Sequence, residues 1–361
     1  MREGWTYKEF EDCLVKAAKA KQVKTSDYNA GSKYPIISQE DKMISGFCDD
    51  YSLLYHIDRP IVIFGDHTRV LKYVDFDFIV GADGVKILIP KDFLKAKFLL
   101  YFLQWYKLPS LGYSRHYKLL KEIKLPIPPL AEQEKIVGEL DLLSSVIEKK
   151  KAQLEEYDKL AQSFFYDMFG DPVTNEKGWE VKKLGEVCEY SKTRISPDEL
   201  TRDNYVGVEN LLQNCKGKEP ANKIPNGIGL TRYIDGDVLI GNIRPYLKKI
   251  WLASNEGGCN GDVLAIRRKQ EYSTVIIPIY VFGCLSKDAF FDFDMQYSKG
   301  EKMPRGDKKE ILKYPICLPP LSLQQKFANK IEAIEKQKKL IKQSIAETET
   351  LFDSRMDFYF N

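Results

Sequence analysis

The chain has 361 residues, 43% of them hydrophobic and 30% charged, with a formal net charge of +3. That length and apolar content can fill more than one core, so two or more folded domains are expected. No apolar run reaches the roughly 18 residues of a membrane span, and MREGWTYKEF lacks the apolar stretch of a secretory leader, which makes the cytoplasm the expected location. The seven cysteines are scattered without a C-x-x-C, which argues against a disulfide framework or a zinc site and for reduced thiols.

In chain order, RPIVIFG (59–65) and KILIP (86–90) are short apolar runs bounded by turns and are expected to be strands. KAKFLLYFLQWY (95–106) is expected to be a buried helix. The segment 91–124 is rich in Lys and Arg, whereas 40–83 is acidic. Pro128-Pro129 then stops an extended stretch just before a long helix over 131–169, and FGDP (169–172) ends that helix with Gly and Pro. Along the helix, Ile136, Leu140, Leu143, Ile147 and Leu154 recur at a 3.5-residue period, interrupted by Lys150, as the seam of a coiled coil does.

The chain then repeats itself. GDVLIG (236–241) and DVLAIRR (262–268) are expected strands, and TVIIPIYVFGCL (274–285) an expected buried helix that Pro278 weakens. Pro319-Pro320 precedes a second long helix whose seam is Phe327, Ile331, Ile334, Ile341 and Ile345, interrupted by Lys338. Aligning Leu130 with Leu321 also aligns Pro129 with Pro320, Gln133 with Gln324, Lys135 with Lys326, Leu160 with Leu351 and Phe169 with Phe360. Upstream, IDRPIVIFGDHTR (57–69) answers IDGDVLIGNIR (234–244). The expected fold class is α/β (mixed α+β), with two globular domains, 1–128 and 171–319, separated by a pair of long helices, 129–170 and 320–361. Connectivity makes those helices antiparallel if they pair along their seams, with a domain at each end and a pseudo-two-fold axis.

No phosphate-binding glycine loop, dinucleotide fingerprint or methyltransferase catalytic loop is present, and the three histidines sit in no metal-binding frame. Basic residues instead share turn-rich stretches with amides and aromatics. GNIRPYLKK (241–249) offers Asn242, Arg244, Tyr246, Lys248 and Lys249, and its counterpart GDHTRVLKY (65–73) offers Arg69 and Lys72. A second pair of turns precedes each long helix, one carrying Arg115 and the other Lys302 and Arg305. Arginine can grip guanine O6 and N7, asparagine can pair adenine, and lysine can neutralise phosphate, so these residues are the candidate DNA contacts.

LPIPPLAEQEKIV and CLPPLSLQQKF, each opening a long helix, together with the GNIRPYLKK and GDHTR turns and the order domain, helix, domain, helix, resemble the specificity subunit of type I restriction-modification systems over essentially the whole chain. SLQQ in place of the acidic AEQE is a mild departure that touches helix capping. The resemblance implies two target recognition domains, each reading half of a split site in double-stranded DNA. It implies helices that set the spacing and dock two methyltransferase subunits, which bring S-adenosylmethionine and, through them, restriction subunits. No cofactor, metal or catalytic residue is expected in this chain. A two-domain scaffold and a divergent DNA-modifying enzyme remain the alternatives.

Overall fold

A computed structural model describes residues 4–29, 33–112, 114–225 and 229–361. The chain divides into two compact units, residues 1–153 with 341–361, and residues 154–340. The long helices run Leu130–Phe169 and Leu321–Phe360, so each unit holds one globular domain and part of both helices. The units therefore cut across the expected boundaries, because the cores do not stop where the helices begin. In the first unit, Trp5, Phe10, Phe98 and Phe102 form one core with Ile136 and Leu140 of the first helix and Met356, Tyr359 and Phe360 of the second. In the second, Tyr280, Phe290 and Phe291 share a core with Phe165, Phe169 and Phe327.

Both globular domains are built alike. In the first, an antiparallel four-stranded sheet has the order Leu14–Val15, Val85–Pro90, Ile61–Gly65, Leu71–Val74. Its counterpart orders Cys188–Tyr190, Val263–Arg268, Val238–Gly241, Ile250–Leu252. A second four-stranded sheet in each contains one parallel pair, Tyr34–Ile37 with Phe78–Val80 and Tyr205–Val206 with Gly257–Cys259. A two-stranded ribbon leads into each long helix, Thr6–Glu9 with Lys124–Ile127 and Glu180–Lys183 with Pro315–Leu318. The helix expected over 95–106 is Ala96–Tyr106. Pro278 does not break its counterpart but begins it, as Pro278–Leu285, because an N–H at the start of a helix makes no bond within the helix and its loss costs none.

The recurring glutamines explain the repeated motif before each long helix. Gln133 is fully buried; its Oε1 accepts from Lys95 N, and its Nε2 donates to Phe93 O and Pro128 O at 2.8–2.9 Å. Gln324 does the same, accepting from Ile277 N and donating to Val275 O and Pro319 O. One buried side-chain amide satisfies three backbone groups, so it fastens the long helix to the N-terminal end of the domain's own helix.

Along the seams the 3.5-residue period is visible as burial. Ile136, Leu140, Ile147, Phe327, Ile334 and Ile345 are buried, and Leu143, Leu154, Ile331 and Ile341 are half-buried between exposed neighbours. In the first unit the two helix segments run antiparallel, since Glu139 meets Arg355 while Lys150 meets Ser344. Lys150 interrupts the apolar seam without an unpaired charge: its Nζ donates to Ser344 Oγ at 2.6 Å and Thr348 Oγ1 at 3.0 Å. In the second unit Lys338 pairs with Asp158 and Glu335, both at 2.8 Å.

Candidate nucleic-acid interface

In each domain the turn joining a central strand of the antiparallel sheet to its neighbouring edge strand carries an exposed arginine in left-handed backbone. Arg69 follows Ile61–Gly65 with φ 63°, and Arg244 follows Val238–Gly241 with φ 52°. This region costs a non-glycine residue roughly 1–2 kcal/mol, and its use at the same place twice marks a turn shaped for something other than stability. In the first domain Gln39 braces the turn, accepting from His67 N at 3.1 Å and, through its own carbonyl, from Thr68 Oγ1 at 2.6 Å. In the second, a single turn of 3-10 helix, Pro245–Leu247, separates Arg244 from Lys248, itself left-handed at φ 50°.

The two separate basic stretches of each half are joined by the same backbone bond. His116 N donates to Asp66 O at 2.8 Å, and Gly306 N donates to Asn242 O at 3.1 Å. The residue ahead of each donor is the other candidate arginine, so Arg115 stands beside the Arg69 turn as Arg305 stands beside the Arg244 turn. In the second domain the junction is tightened by Arg244 N on Pro304 O at 2.7 Å and by the paired bonds between Lys299 and Arg305.

The remaining candidates divide by placement. Arg115, Arg244 and Lys302 are exposed and, among the described residues, have no side-chain hydrogen-bond or ion-pair partner. Tyr246 is 49% exposed beside Arg244. Arg69 is exposed but rests its guanidinium on Leu108 O at 2.8 Å, at the rim of a 390 Å³ cavity with Thr68, Gln104 and Lys107. Arg305 pairs with Asp262 at 3.0 Å, and Lys248 with Asp288 at 2.8 Å.

Three candidates do not lie on the exposed face expected for them. Lys72 is 5% exposed and its ammonium is spent on Ser38 O and Lys42 O; burial lowers its pKa, and the two carbonyls compensate the desolvated charge. Lys249 turns inward to Val208 O at 2.6 Å. Asn242 is 6% exposed and faces Gly306 and Asp294, not a groove. Lys72 lies within the strand Leu71–Val74, where alternate side chains point into the core, while Asn242 and Lys249 flank the ends of Val238–Gly241 and Ile250–Leu252. Gln39, Asp294 and Gly306, which shape the turns through contacts distant along the chain, carry no local signal in the sequence. Among the described residues, no group of three His, Cys, Asp or Glu side chains could hold a metal ion, and no helix is long and apolar enough to cross a membrane.

Residues 2–156 and 176–350 match the family described as the type I restriction modification DNA specificity domain. The chain belongs to that family, with two copies of its domain. Among curated relatives, the type I restriction enzyme MjaIX specificity subunit of Methanocaldococcus jannaschii is 32% identical over 36% of this chain and 37% of that protein. The EcoDI specificity subunit of Escherichia coli is 20% identical over 60% and 55%. The chain thus matches about half or less of the length of these relatives. A crystal structure of the S subunit of a type I restriction-modification system from M. genitalium shares the fold at 15% identity, over 98% of this chain and 95% of that one, with a TM-score of 0.60. A chain from a study of assembly and conformational transition of the type I restriction-modification system gives 0.52, at 15% identity over 100% and 98%.

Proposed function

We propose that this chain is the non-catalytic DNA-reading subunit of a type I restriction-modification complex, each domain reading one half of a split double-stranded site. One observation carries this: a family member presents, in both halves, a left-handed arginine turn bonded through the same backbone pair to a second arginine-bearing loop. Arginines held on a rigid sheet are preorganised for bidentate contact with guanine, and the exposed Lys302 adds phosphate attraction without sequence preference.

The long helices set the separation of the half-sites and receive two methyltransferase subunits, which carry S-adenosylmethionine and in turn bring restriction subunits. Leu142, Leu340 and Leu351, each at least half exposed on the outer faces of the helices, support docking there. Each helix has 40 residues, roughly 60 Å at about 1.5 Å per residue, comparable with about 18 base pairs.

Selection of the assembled complex on a random DNA library tests the function. Two fixed half-sites around an unread gap are expected. Recovery of unenriched sequence would leave only a scaffold, and stoichiometric binding of S-adenosylmethionine by the chain alone would overturn the non-catalytic assignment.

A further inference from the structure

The second recognition turn rests on polar atoms that DNA reading does not use. Asp294, in the helix Asp288–Gln296, is 1% exposed, and neither carboxylate oxygen has a hydrogen-bond partner among the described residues. Asn242 Oδ1 is also buried and unpartnered. A Cβ built on Gly306 would stand 2.2 Å from Asp294 Oδ1 and 2.8 Å from Asn242 Oδ1, so both oxygens point at one spot beside the residue whose N–H bonds Asn242 O.

Two bare acceptors facing each other in a dry site are costly, and a neutral acid relieves both, since its O–H can donate to the amide oxygen. Burial pushes the Asp294 carboxyl up to about 7. The charged groups around it are committed elsewhere: Asp307 to Lys299, Arg305 to Asp262, and Lys248 to Asp288. The Tyr190 hydroxyl donates to Lys308 O.

We propose that Asp294 is a positioning residue for the second recognition turn: as a neutral acid it donates to Asn242 Oδ1 across Gly306 and holds hairpin, loop and helix in one arrangement. The proposal rests on the DNA-reading role of Arg244. The folded chain keeps this proton to higher pH than the unfolded chain, whose carboxyl titrates near its ordinary value of about 4. Stability is therefore untouched below about pH 4, falls as pH rises from there to about 7, and is level above. Asparagine offers an N–H donor at any pH and removes the fall; alanine offers none.

Thermal unfolding of the full chain between pH 5 and 8.5 should show the wild type losing Tm relative to Asp294→Asn up to about pH 7 and no further. Parallel profiles would overturn the proposal. At pH 6 the Gly306 amide should exchange about tenfold faster in Asp294→Ala than in the wild type or the asparagine variant; equal rates in all three would overturn it too. In the assembled complex, selectivity for the half-site read by the second domain should drop about tenfold from pH 6 to 8.5 in the wild type and stay constant in Asp294→Asn. Undiminished selectivity in Asp294→Ala contradicts the positioning role. No selectivity in any variant at any pH would instead strike at DNA reading, on which the unfolding and exchange measurements do not depend.

Discussion

At the first recognition turn the buried acid is Asp66, and its carboxylate is fully engaged, accepting from Tyr117 N at 2.7 Å and lying 3.5 Å from Lys86 Nζ. At the same place in the second turn the residue is Asn242, Leu264 stands where Lys86 would be, and the buried acid comes from another element, Asp294, without a partner. The backbone bonds around the two sites nonetheless correspond: Asp66 N to Gly84 O and Asn242 N to Asp262 O, His116 N to Asp66 O and Gly306 N to Asn242 O. The repeat therefore preserves the main-chain frame of the turn while the polar groups beneath it differ, a charge pair in one half and a carboxyl without a charged partner in the other. A frame held by backbone bonds lets the side chains change without altering the turn.

The largest expected effect lies at the feature both halves share. Gln133→Ala and Gln324→Ala should each cost about 3 kcal/mol in urea unfolding, because each leaves three backbone groups without their partner. Costs differing by more than about 1 kcal/mol would show that the two clamps are not equivalent.

Next in size is the split between the arginine turns. Arg244→Ala ought to lose about 1–3 kcal/mol of discrimination at one position of one half-site. Arg69→Ala should relax only the other half-site, and by less, since the Arg69 guanidinium already has Leu108 O as a partner. Competition binding with singly substituted sites reads both, and relaxation of both half-sites by either variant would refute the division of labour.

The smallest effect sharpens the line between exposed and buried lysines. Lys302→Ala should lower the log–log salt slope of DNA binding by about 1 and weaken all sequences alike. Lys72→Ala should leave the slope unchanged and lower Tm, because its ammonium serves Ser38 O and Lys42 O. A Lys72 variant with normal Tm and a reduced slope would return that residue to the DNA face.

Which of these residues could be found from sequence follows from the range of the interactions involved. The arginine turns were legible because strand, turn and basic residue lie within a dozen positions and recur in both halves. Lys72, Lys249 and Asn242 lie off the exposed face for the complementary reason: one step along a strand reverses the Lys72 side chain from solvent to core, carbonyls distant in sequence hold both lysines inward, and Asn242 is covered by the loop around Gly306. Gln133 and Gln324 were visible as a repeated letter, but their task depends on Phe93, Lys95, Val275 and Ile277, which only folding brings near.

The sequence by itself determined the duplication, the two long helices and their seams, since heptad periodicity and proline punctuation act between near neighbours and survive as a pattern. Tertiary structure alone decided which lysines face solvent, that Arg69 joins Arg115 and Arg244 joins Arg305, and that Asp294 lies unpaired beneath the second turn. Burial and hydrogen-bond partnership are set by groups such as Gly306 and Asn242, 64 positions apart, and no local pattern encodes where such groups will meet.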